Sequence, residues 1–233
     1  MLRLLGAAVN AAGVLMGSLL GLIWGARLPL VFRQDVMRLI GLAVAILGIS
    51  MALPFSDPVN TLLSLVIGAW IGYRLDLGAH LERWGKALEA RVGQQNIMQG
   101  FITAAVIFNV GAMAIVGSLQ AGLTKHPTLL ETKAVLDGMT AMVLTSAFGW
   151  GVLLAAPVTF AYEGGLSLAA GLLHRILVGP LLTDVSVVGG VLIAGIGINF
   201  LLEKTAVNIP NLLPALVFTV ILGWLKQHGL SFV

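Results

Sequence analysis

Apolar segments, separated by short polar or proline-bearing turns, run along the whole chain and limit the folds that it can adopt. Charged residues make up only 10% of the sequence and hydrophobic residues 58%, whereas about 25% of the residues of a soluble domain are charged. We therefore predict an all-α polytopic membrane protein with about seven to eight membrane helices, some of them short, broken or re-entrant. The apolar segments cover residues 4–25, 37–53, 61–75, 97–119, 134–162, 166–178, 185–202 and 211–226.

The apolar run 134–162 is too long for a single crossing of the membrane. As one helix it would extend about 43 Å, against a hydrocarbon core of about 30 Å. Glycines on both sides of Trp150 favour a break there, because glycine interrupts helices and tryptophan prefers the membrane interface. We expect two shorter arms, and the alternative is one long tilted helix.

The first segment carries a regular row of glycines. Residues four apart lie on the same face of a helix, and small residues on such a face let a second helix approach closely within a membrane. We interpret the row as a helix-packing face, used within one chain or between the protomers of a homo-oligomer. Its members are Gly13, Gly17, Gly21 and Gly25.

Arginine and lysine are concentrated in loops 26–38 and 74–96, whereas loop 54–60 contains neither. By the positive-inside rule, the two basic loops are predicted to be cytoplasmic and the N-terminus to be outside. Within the second basic loop, apolar and charged residues alternate at helical spacing over residues 76–93. This pattern predicts an amphipathic helix at the membrane interface, or alternatively a solvated connector.

Two pairs of segments resemble each other in the same order along the chain. Residues 10–22, NAAGVLMGSLLGL, resemble residues 109–123, NVGAMAIVGSLQAGL. Residues 41–53, GLAVAILGISMAL, resemble residues 190–202, GVLIAGIGINFLL. Helices rich in glycine, alanine and leucine also resemble one another by chance, and that alternative stays open.

The predicted topology would invert one half relative to the other. We therefore predict a single membrane domain, 1–233, with pseudo-repeat halves of about 1–75 and 97–226 and with 134–178 inserted in the second half. Inverted repeats with broken helices are typical of secondary transporters, whose binding site lies at the repeat interface near the membrane midplane.

Two charges stand at the start of the longest apolar run. Lys133 and Asp137 lie one helical turn apart, so they share a face and can neutralise one another. A carboxylate at membrane depth is costly and usually marks a partner, a cavity or a function. We expect Asp137 to face a polar cavity between the two halves and to bind a proton or Na⁺ reversibly. The alternative is that Lys133 snorkels to the surface and Asp137 caps or bridges a helix.

Uncharged polar residues in or beside the apolar segments are further candidate ligands. Hydroxyl and amide oxygens suit hard cations or protons, although hydrogen bonds between helices would explain the amides equally well. The full set of candidate substrate- or ion-binding residues is Asp137, Lys133, Asn109, Asn10, Gln120, Thr140 and Asn199.

The runs FNVGAMAIVGSLQAGL, LLETKAVLDGMTAMVLTSAFGWGV and GGVLIAGIGINFLL with NLLPAL carry a family likeness that covers essentially the whole chain. The chain resembles the YqgA/YdfK family of bacterial inner-membrane proteins, a domain-of-unknown-function family. The likeness includes a G-A-M-A-I-x-G-S run from Gly111 to Ser118 and a K-x-x-x-D-G element at Lys133, Asp137 and Gly138. The resemblance implies a multi-pass protein of the bacterial inner membrane, in a family often described as transporters, and it brings no established substrate or functional residues.

The sequence lacks the motifs of the common enzyme classes. It has no cysteine, no H-E-x-x-H, no G-x-S-x-G and no phosphate-binding G-x-x-x-x-G-K-[ST]. We expect no catalytic residue, no cofactor and no metal site, and the dispersed net charge of +3 does not favour nucleic-acid binding. The first hypothesis is a secondary transporter or ion-coupled carrier or channel, with the lipid bilayer, a small solute and a proton or Na⁺ as partners. The alternative is a membrane assembly or sensor protein that transports nothing.

Overall fold

The computed structural model describes residues 2–25, 30–55, 57–93, 97–110, 112–173, 179–202 and 204–227, and all regular structure in these ranges is helical. This confirms the predicted all-α fold class. Two 3₁₀ turns, Leu2–Leu4 and Gly149–Leu154, accompany the α-helices. The α-helices are α1 (Leu5–Gly25), α2 (Leu30–Ala52), α3 (Pro58–Arg74), α4 (Leu77–Val92), α5 (Ile97–Asn109), α6 (Ala112–Thr124), α7 (Thr128–Phe148), α8 (Ala155–Leu168), α9 (Ala170–Leu173), α10 (Pro180–Leu201), α11 (Ile209–Leu212) and α12 (Pro214–Gln227).

The described helices are long and apolar enough to supply four membrane spans, or up to six if each bent pair of helices is one span. One bent pair is α5 with α6, whose axes meet at 58°. The predicted segment 97–119 is therefore two helices with a break between them. By length and composition the four candidates are Leu5–Ile23, Thr128–Leu168, Pro180–Leu201 and Ile209–Lys226, of which the second, 41 residues long, contains both α7 and α8.

Two predicted boundaries need correction, and one predicted helix is present. The arginine-bearing loop predicted at 26–38 overlaps α2, which already begins at Leu30, and residues 26–29 lie outside the described residues. The segment 166–178 is not a separate span: Leu168 ends α8, and α9 is a single turn of four residues before the chain leaves the described range at 174–178. The predicted interfacial helix at 76–93 is present as α4, with an exposed Glu82–Lys86 ion pair of 2.7 Å on its surface. Its position at the membrane interface stays a prediction.

The chain divides by its internal contacts into two units. The first consists of Met1–Ile40 and Glu82–His174, and the second of Gly41–Leu81 and Arg175–Val233. This division by contacts is not the division by sequence repeat, and the inverted repeat stays a prediction.

In the first unit, α1 and α7 run parallel with their backbones in contact. A Cβ atom built on Gly13 would lie 2.5 Å from the carbonyl oxygen of Ala134, and one on Gly17 would lie 1.9 Å from that of Gly138. One on Gly21 would lie 2.3 Å from the oxygen of Met142. Any side chain at these three glycines would overlap α7, so the glycine face packs within the chain. Gly25 ends α1, and its packing lies outside the described contacts.

The chain reverses direction between α7 and α8. Gly149 has φ +69° and ends α7, and the 3₁₀ turn that follows leads into α8. Lys133 on α7 lies 3.3 Å from Glu163 on α8, which a continuous helix would place about 45 Å away. The apolar stretch Thr128–Leu168 is therefore two antiparallel arms, as the glycines around Trp150 predicted, and the alternative of one long tilted helix is wrong.

In the second unit, two antiparallel helix pairs pack closely through glycine. Gly48 of α2 lies against Gly190 and Ala194 of α10, so that a Cβ on Gly48 would come within 2.2 Å of the Ala194 nitrogen. Likewise, a Cβ on Gly72 of α3 would come within 1.9 Å of the Asn211 carbonyl oxygen. Close approach of this kind in a membrane protein brings many backbone atoms into van der Waals contact.

Candidate functional site

Four polar side chains meet inside the first unit. The ammonium of Lys133 donates to Asp137 Oδ2 and lies 3.3 Å from Glu163 Oε1. The side-chain amide of Asn10 donates to both carboxylates, at 3.0 Å to Asp137 Oδ2 and 2.8 Å to Glu163 Oε1. We call Asn10, Lys133, Asp137 and Glu163 the buried charge cluster.

Local geometry explains why these four side chains meet. Lys133 and Asp137 are one helical turn apart on α7, and the parallel packing of α1 along its glycine face brings Asn10 beside them. The reversal at Gly149–Leu154 then returns α8 along α1, with Gly164 near Ala7 and Glu163 beside Asn10. The site thus depends on close helix contact and on one turn.

The cluster is shielded from solvent, because its members Asn10, Lys133, Asp137 and Glu163 expose 0%, 5%, 8% and 0% of their surfaces. With ordinary ionisation, its one ammonium and two carboxylates sum to one excess negative charge. An uncompensated charge is costly in a low-dielectric interior, so this excess calls for a proton or a cation.

The depth of the cluster matches the middle of a span. Asp137 is the tenth residue of the 21-residue α7, about 14 Å from the start of the helix. A hydrocarbon core of about 30 Å would have its midplane near that level if α7 crosses it upright.

Several buried polar atoms in this unit have no hydrogen-bond partner among the described residues. Two belong to the cluster itself, Asn10 Oδ1 and Glu163 Oε2. The hydroxyls of Ser18 and Thr145 lie eight residues beyond Asn10 and Asp137 along the parallel helices α1 and α7. The hydroxyl of Ser167 lies one turn beyond Glu163 on the antiparallel α8, and therefore on the opposite side of the cluster. Buried hydroxyls without partners thus occur on both sides of the charges.

Of the seven candidate ligands, Asn10, Lys133 and Asp137 come together, and the other four lie elsewhere. Asn109 donates to Thr159 Oγ1 at 3.2 Å and to the Ala105 carbonyl, and its Oδ1 has no described partner. Gln120 accepts from the Leu129 backbone at 3.4 Å.

Thr140 and Asn199 make local contacts with the backbone. Thr140 donates to the Leu136 carbonyl one turn earlier in α7. Asn199 closes the turn after α10 by exchanging two hydrogen bonds, of 2.7 and 2.8 Å, with the Val207 backbone. The polar cavity expected beside Asp137 stays a prediction.

Glu163 is the functional candidate that the sequence reasoning missed. It had a visible sign, since it is the first charged residue after Asp137 in an otherwise uncharged run. From the sequence alone, Glu163 was treated as the residue that ends the apolar run. Its contact with Lys133 depends on the reversal of the chain between α7 and α8, which its position in the sequence does not show. A carboxylate within an apolar helix should be treated as a candidate functional residue, as Asp137 was.

The second unit contains a similar but less enclosed polar group. Asn60 on α3 donates to Asp184 Oδ2 on α10 at 3.0 Å, and both residues are buried. Asp57 caps α3 by accepting from the Asn60 backbone, and it accepts from the exposed Lys226 at 2.5 Å. The hydrogen bond from the Lys226 ammonium lowers the pKa of Asp57, which precedes the helix. No group of three His, Cys, Asp or Glu residues in the described ranges could hold a metal ion.

Comparison with known proteins identifies the family to which the chain is similar. The family profile described as "Protein of unknown function (DUF554)" matches residues 5–224. The "Uncharacterized membrane protein YdfK" of Bacillus subtilis (strain 168) is 31% identical over 232 residues, which span 97% of this chain and 99% of that protein. The "Uncharacterized protein YqgA" of Escherichia coli (strain K12) is 26% identical over 223 residues, spanning 93% and 94%. No solved structure matches the chain.

Proposed function

Since the chain belongs to the DUF554 family of proteins of unknown function, whose matched relatives carry no assigned activity, we propose its role from its own geometry. It is a membrane protein, and we infer that it is an ion-coupled secondary transporter of a small solute or ion, crossing the bacterial inner membrane several times. The observation that carries the proposal is the buried charge cluster, whose one ammonium and two carboxylates leave one negative charge uncompensated.

The charge count favours reversible ion binding. In the cluster, a proton or a small cation would bring the net charge to zero, and its loss would restore a buried negative charge. The ion-bound and ion-free states of the cluster therefore differ in electrostatic energy, and the charged, ion-free state is stabilised more by contact with water. If one conformation admits water to the cluster and another excludes it, ion binding will favour the closed conformation. A coupling site in a secondary transporter needs such a link between ion occupancy and conformation.

The arrangement of the helices supports a carrier. The two arms of Thr128–Leu168 meet at a 3₁₀ turn, and α5 and α6 form a bent pair, so several helices in this unit are discontinuous. Discontinuous helices near a midplane site are typical of secondary transporters. The buried hydroxyls of Ser18 and Thr145 on one side of the cluster, and of Ser167 on the other, supply polar groups in both directions.

A membrane assembly or sensor protein is the second candidate. The close glycine contact of α1 with α7 favours it, because a rigid helix pair with an ion-dependent charge cluster could also report ion occupancy without moving a solute. The prediction of a homo-oligomer stays open, but the glycine face no longer supports it, since α7 occupies that face. Neither candidate assigns a catalytic residue.

Cysteine accessibility separates the two candidates, because the parent chain has no cysteine. Ser18→Cys and Ser167→Cys are nearly isosteric and place a thiol on either side of the cluster, at positions that are 0% exposed. A carrier that opens to each side in turn should let a membrane-impermeant thiol reagent reach the two variants from opposite faces, in right-side-out and inside-out vesicles respectively.

Two further variants serve as controls. Asp35→Cys, at an exposed position on α2, should react from one face only. Ala104→Cys, at a buried apolar position on α5, should react from neither. If Ser18→Cys and Ser167→Cys both stay as unreactive as Ala104→Cys, the carrier is refuted in favour of the static protein.

A further inference from the structure

The two polar atoms of the buried charge cluster that lack partners belong to side chains already in contact. Asn10 Nδ2 donates to Glu163 Oε1 at 2.8 Å, while Asn10 Oδ1 and Glu163 Oε2 have no hydrogen-bond partner among the described residues. Both residues are 0% exposed. The amide of Asn10 and the carboxyl group of Glu163 are therefore joined by one hydrogen bond, and each has one buried oxygen without a described partner.

We propose that Glu163 is protonated on Oε2 in the resting protein and donates this hydrogen to Asn10 Oδ1. The amide and the carboxylic acid then form a ring of two hydrogen bonds, in which each group donates once and accepts once. One added hydrogen gives both leftover atoms a partner, whereas an ionised Glu163 would leave two buried acceptors unsatisfied. The proton comes from water on one side of the membrane, and its release returns Glu163 to a carboxylate.

The contacts select Glu163 over Asp137 as the protonated group. Asp137 Oδ2 and Glu163 Oε1 both accept from the Asn10 amide, but the Lys133 ammonium lies closer to Asp137 than to Glu163, from which it is 3.3 Å away. The nearer ammonium stabilises the Asp137 anion more strongly. Lys133 and ionised Asp137 form a neutral pair, and neutral Glu163 completes a cluster without excess charge.

The surroundings of Glu163 contain few other ionisable groups. The helices and turns near Glu163 contribute Lys133 and Asp137 on α7 and the exposed Arg3 in the 3₁₀ turn Leu2–Leu4. Glu131, the remaining charged residue of α7, is exposed. Tyr162 is its neighbour on α8, and α1, α5, α6, α9 and the turn Gly149–Leu154 carry no Asp, Glu, Lys, Arg, His or Tyr. Lys133 and Asp137 are thus the charged groups that contact or lie closest to Glu163, which is itself fully buried.

A proton suits this cluster better than Na⁺. The Lys133 ammonium already lies against both carboxylates, at the position where a metal cation would gain most from them. A second cation there would be repelled by the ammonium, while a proton bound covalently to Oε2 adds no separate charge centre. This identification of the coupling ion rests on the proposed transport function, but protonation of Glu163 can be tested without any transport.

Infrared spectroscopy of the intact protein in lipid nanodiscs can identify the protonated residue. At neutral pH and without Na⁺, we expect a carbonyl band of a protonated carboxylic acid that shifts when glutamate carboxyl groups carry ¹³C and does not shift when aspartate does. This measurement uses the parent protein, so it does not depend on the folding of a variant. Glu163→Gln should remove the band, and Asn10→Ala should move it to the higher frequency of an acid that has lost its hydrogen-bond acceptor.

Three results would overturn the proposal. They are a band sensitive to aspartate labelling, no protonated carboxyl band at neutral pH, and a glutamate band that survives in Glu163→Gln. A carboxylate band that responds to added Na⁺ at constant pH would instead assign the site to that cation. A glutamate band in a protein that moves no solute would refute the transport function alone, while Na⁺-driven transport without the band would refute only the proton assignment.

Discussion

Substitution of Gly17 by alanine tests the contact that builds the site. A Cβ at this position would lie 1.9 Å from the Gly138 carbonyl oxygen, and a relaxed contact between carbon and a carbonyl oxygen needs about 3.4 Å. The helices α1 and α7 would have to separate by about 1.5 Å at this point. Asn10 Nδ2 and Asp137 Oδ2, now 3.0 Å apart, would then lose their hydrogen bond if the separation extended two turns along α1.

The energetic cost combines two effects. Overpacking of a tight interface costs about 1–3 kcal/mol, and a lost hydrogen bond to a charged group costs about 1.5–3 kcal/mol. We expect Gly17→Ala to lower the free energy of unfolding by about 3 kcal/mol, which is on the order of 100-fold in the unfolding equilibrium constant. Gly21→Ala should be less destabilising than Gly17→Ala, and Gly13→Ala less destabilising still. Their Cβ atoms would lie 2.3 and 2.5 Å, respectively, from the nearest carbonyl oxygen.

Equilibrium unfolding in mixed detergent, followed by fluorescence of the five tryptophans, measures this cost. Gly165→Ala is the matched control, because Gly165 lies within α8 and a Cβ there would meet no atom within 4 Å. Alanine is the better helix former, so the control should be unchanged or more stable by up to about 1 kcal/mol. If Gly17→Ala unfolds at the same denaturant concentration as Gly165→Ala, the close contact between α1 and α7 is refuted.

Three further predictions concern charge and topology. Lys133→Met leaves the buried Asp137 carboxylate without its cation and should cost about 3–5 kcal/mol, a loss that Asp137→Asn in the same chain should partly restore. Equal unfolding curves for the single and double variants would contradict this. The Lys226 ammonium lowers the pKa of Asp57, so this carboxylate stabilises the fold above its ordinary unfolded pKa and loses that contribution as the pH falls through the lowered value. Melting temperatures from about pH 5 down to pH 2 should therefore fall less steeply in Asp57→Asn than in the parent, by a small amount because Lys226 is exposed. Cysteines at Gln34 and Asp57 test the arginine-based topology, since impermeant reagents on intact cells should label the second and spare the first, and the reverse pattern would invert it.

The sequence was most informative where the physical cause is local. The reversal at Gly149–Leu154 follows from glycines around Trp150, the pairing of Lys133 with Asp137 follows from their spacing of four, and the close packing of α1 follows from its glycine row. Each of these depends on the properties of a few neighbouring residues. Each could therefore be predicted without knowing the rest of the fold.

The sequence was least informative where distant segments meet. Glu163 joins the cluster only because α8 folds back along α1, and its place in an uncharged run does not by itself show that it meets Asn10 and Lys133. Asn199 resembled a ligand by its position near an apolar helix end, although its amide is used to close a turn with Val207. The start of α2 at Leu30 was missed because arginine residues in its first turns resemble those of a basic loop.

The most direct test of the central claim is charge movement through the buried charge cluster. Purified protein reconstituted in liposomes on a solid-supported membrane would receive jumps of pH, Na⁺ and a panel of neutral, anionic and cationic small solutes, and the parent would be compared with Asp137→Asn. The matched control is Asp35→Asn, the same chemical change at an exposed carboxylate. The account predicts a solute-induced, pH-dependent current in the parent and in Asp35→Asn that Asp137→Asn abolishes while its melting temperature stays near that of the parent. A current in Asp137→Asn that matches the parent's at every pH and Na⁺ concentration would contradict it.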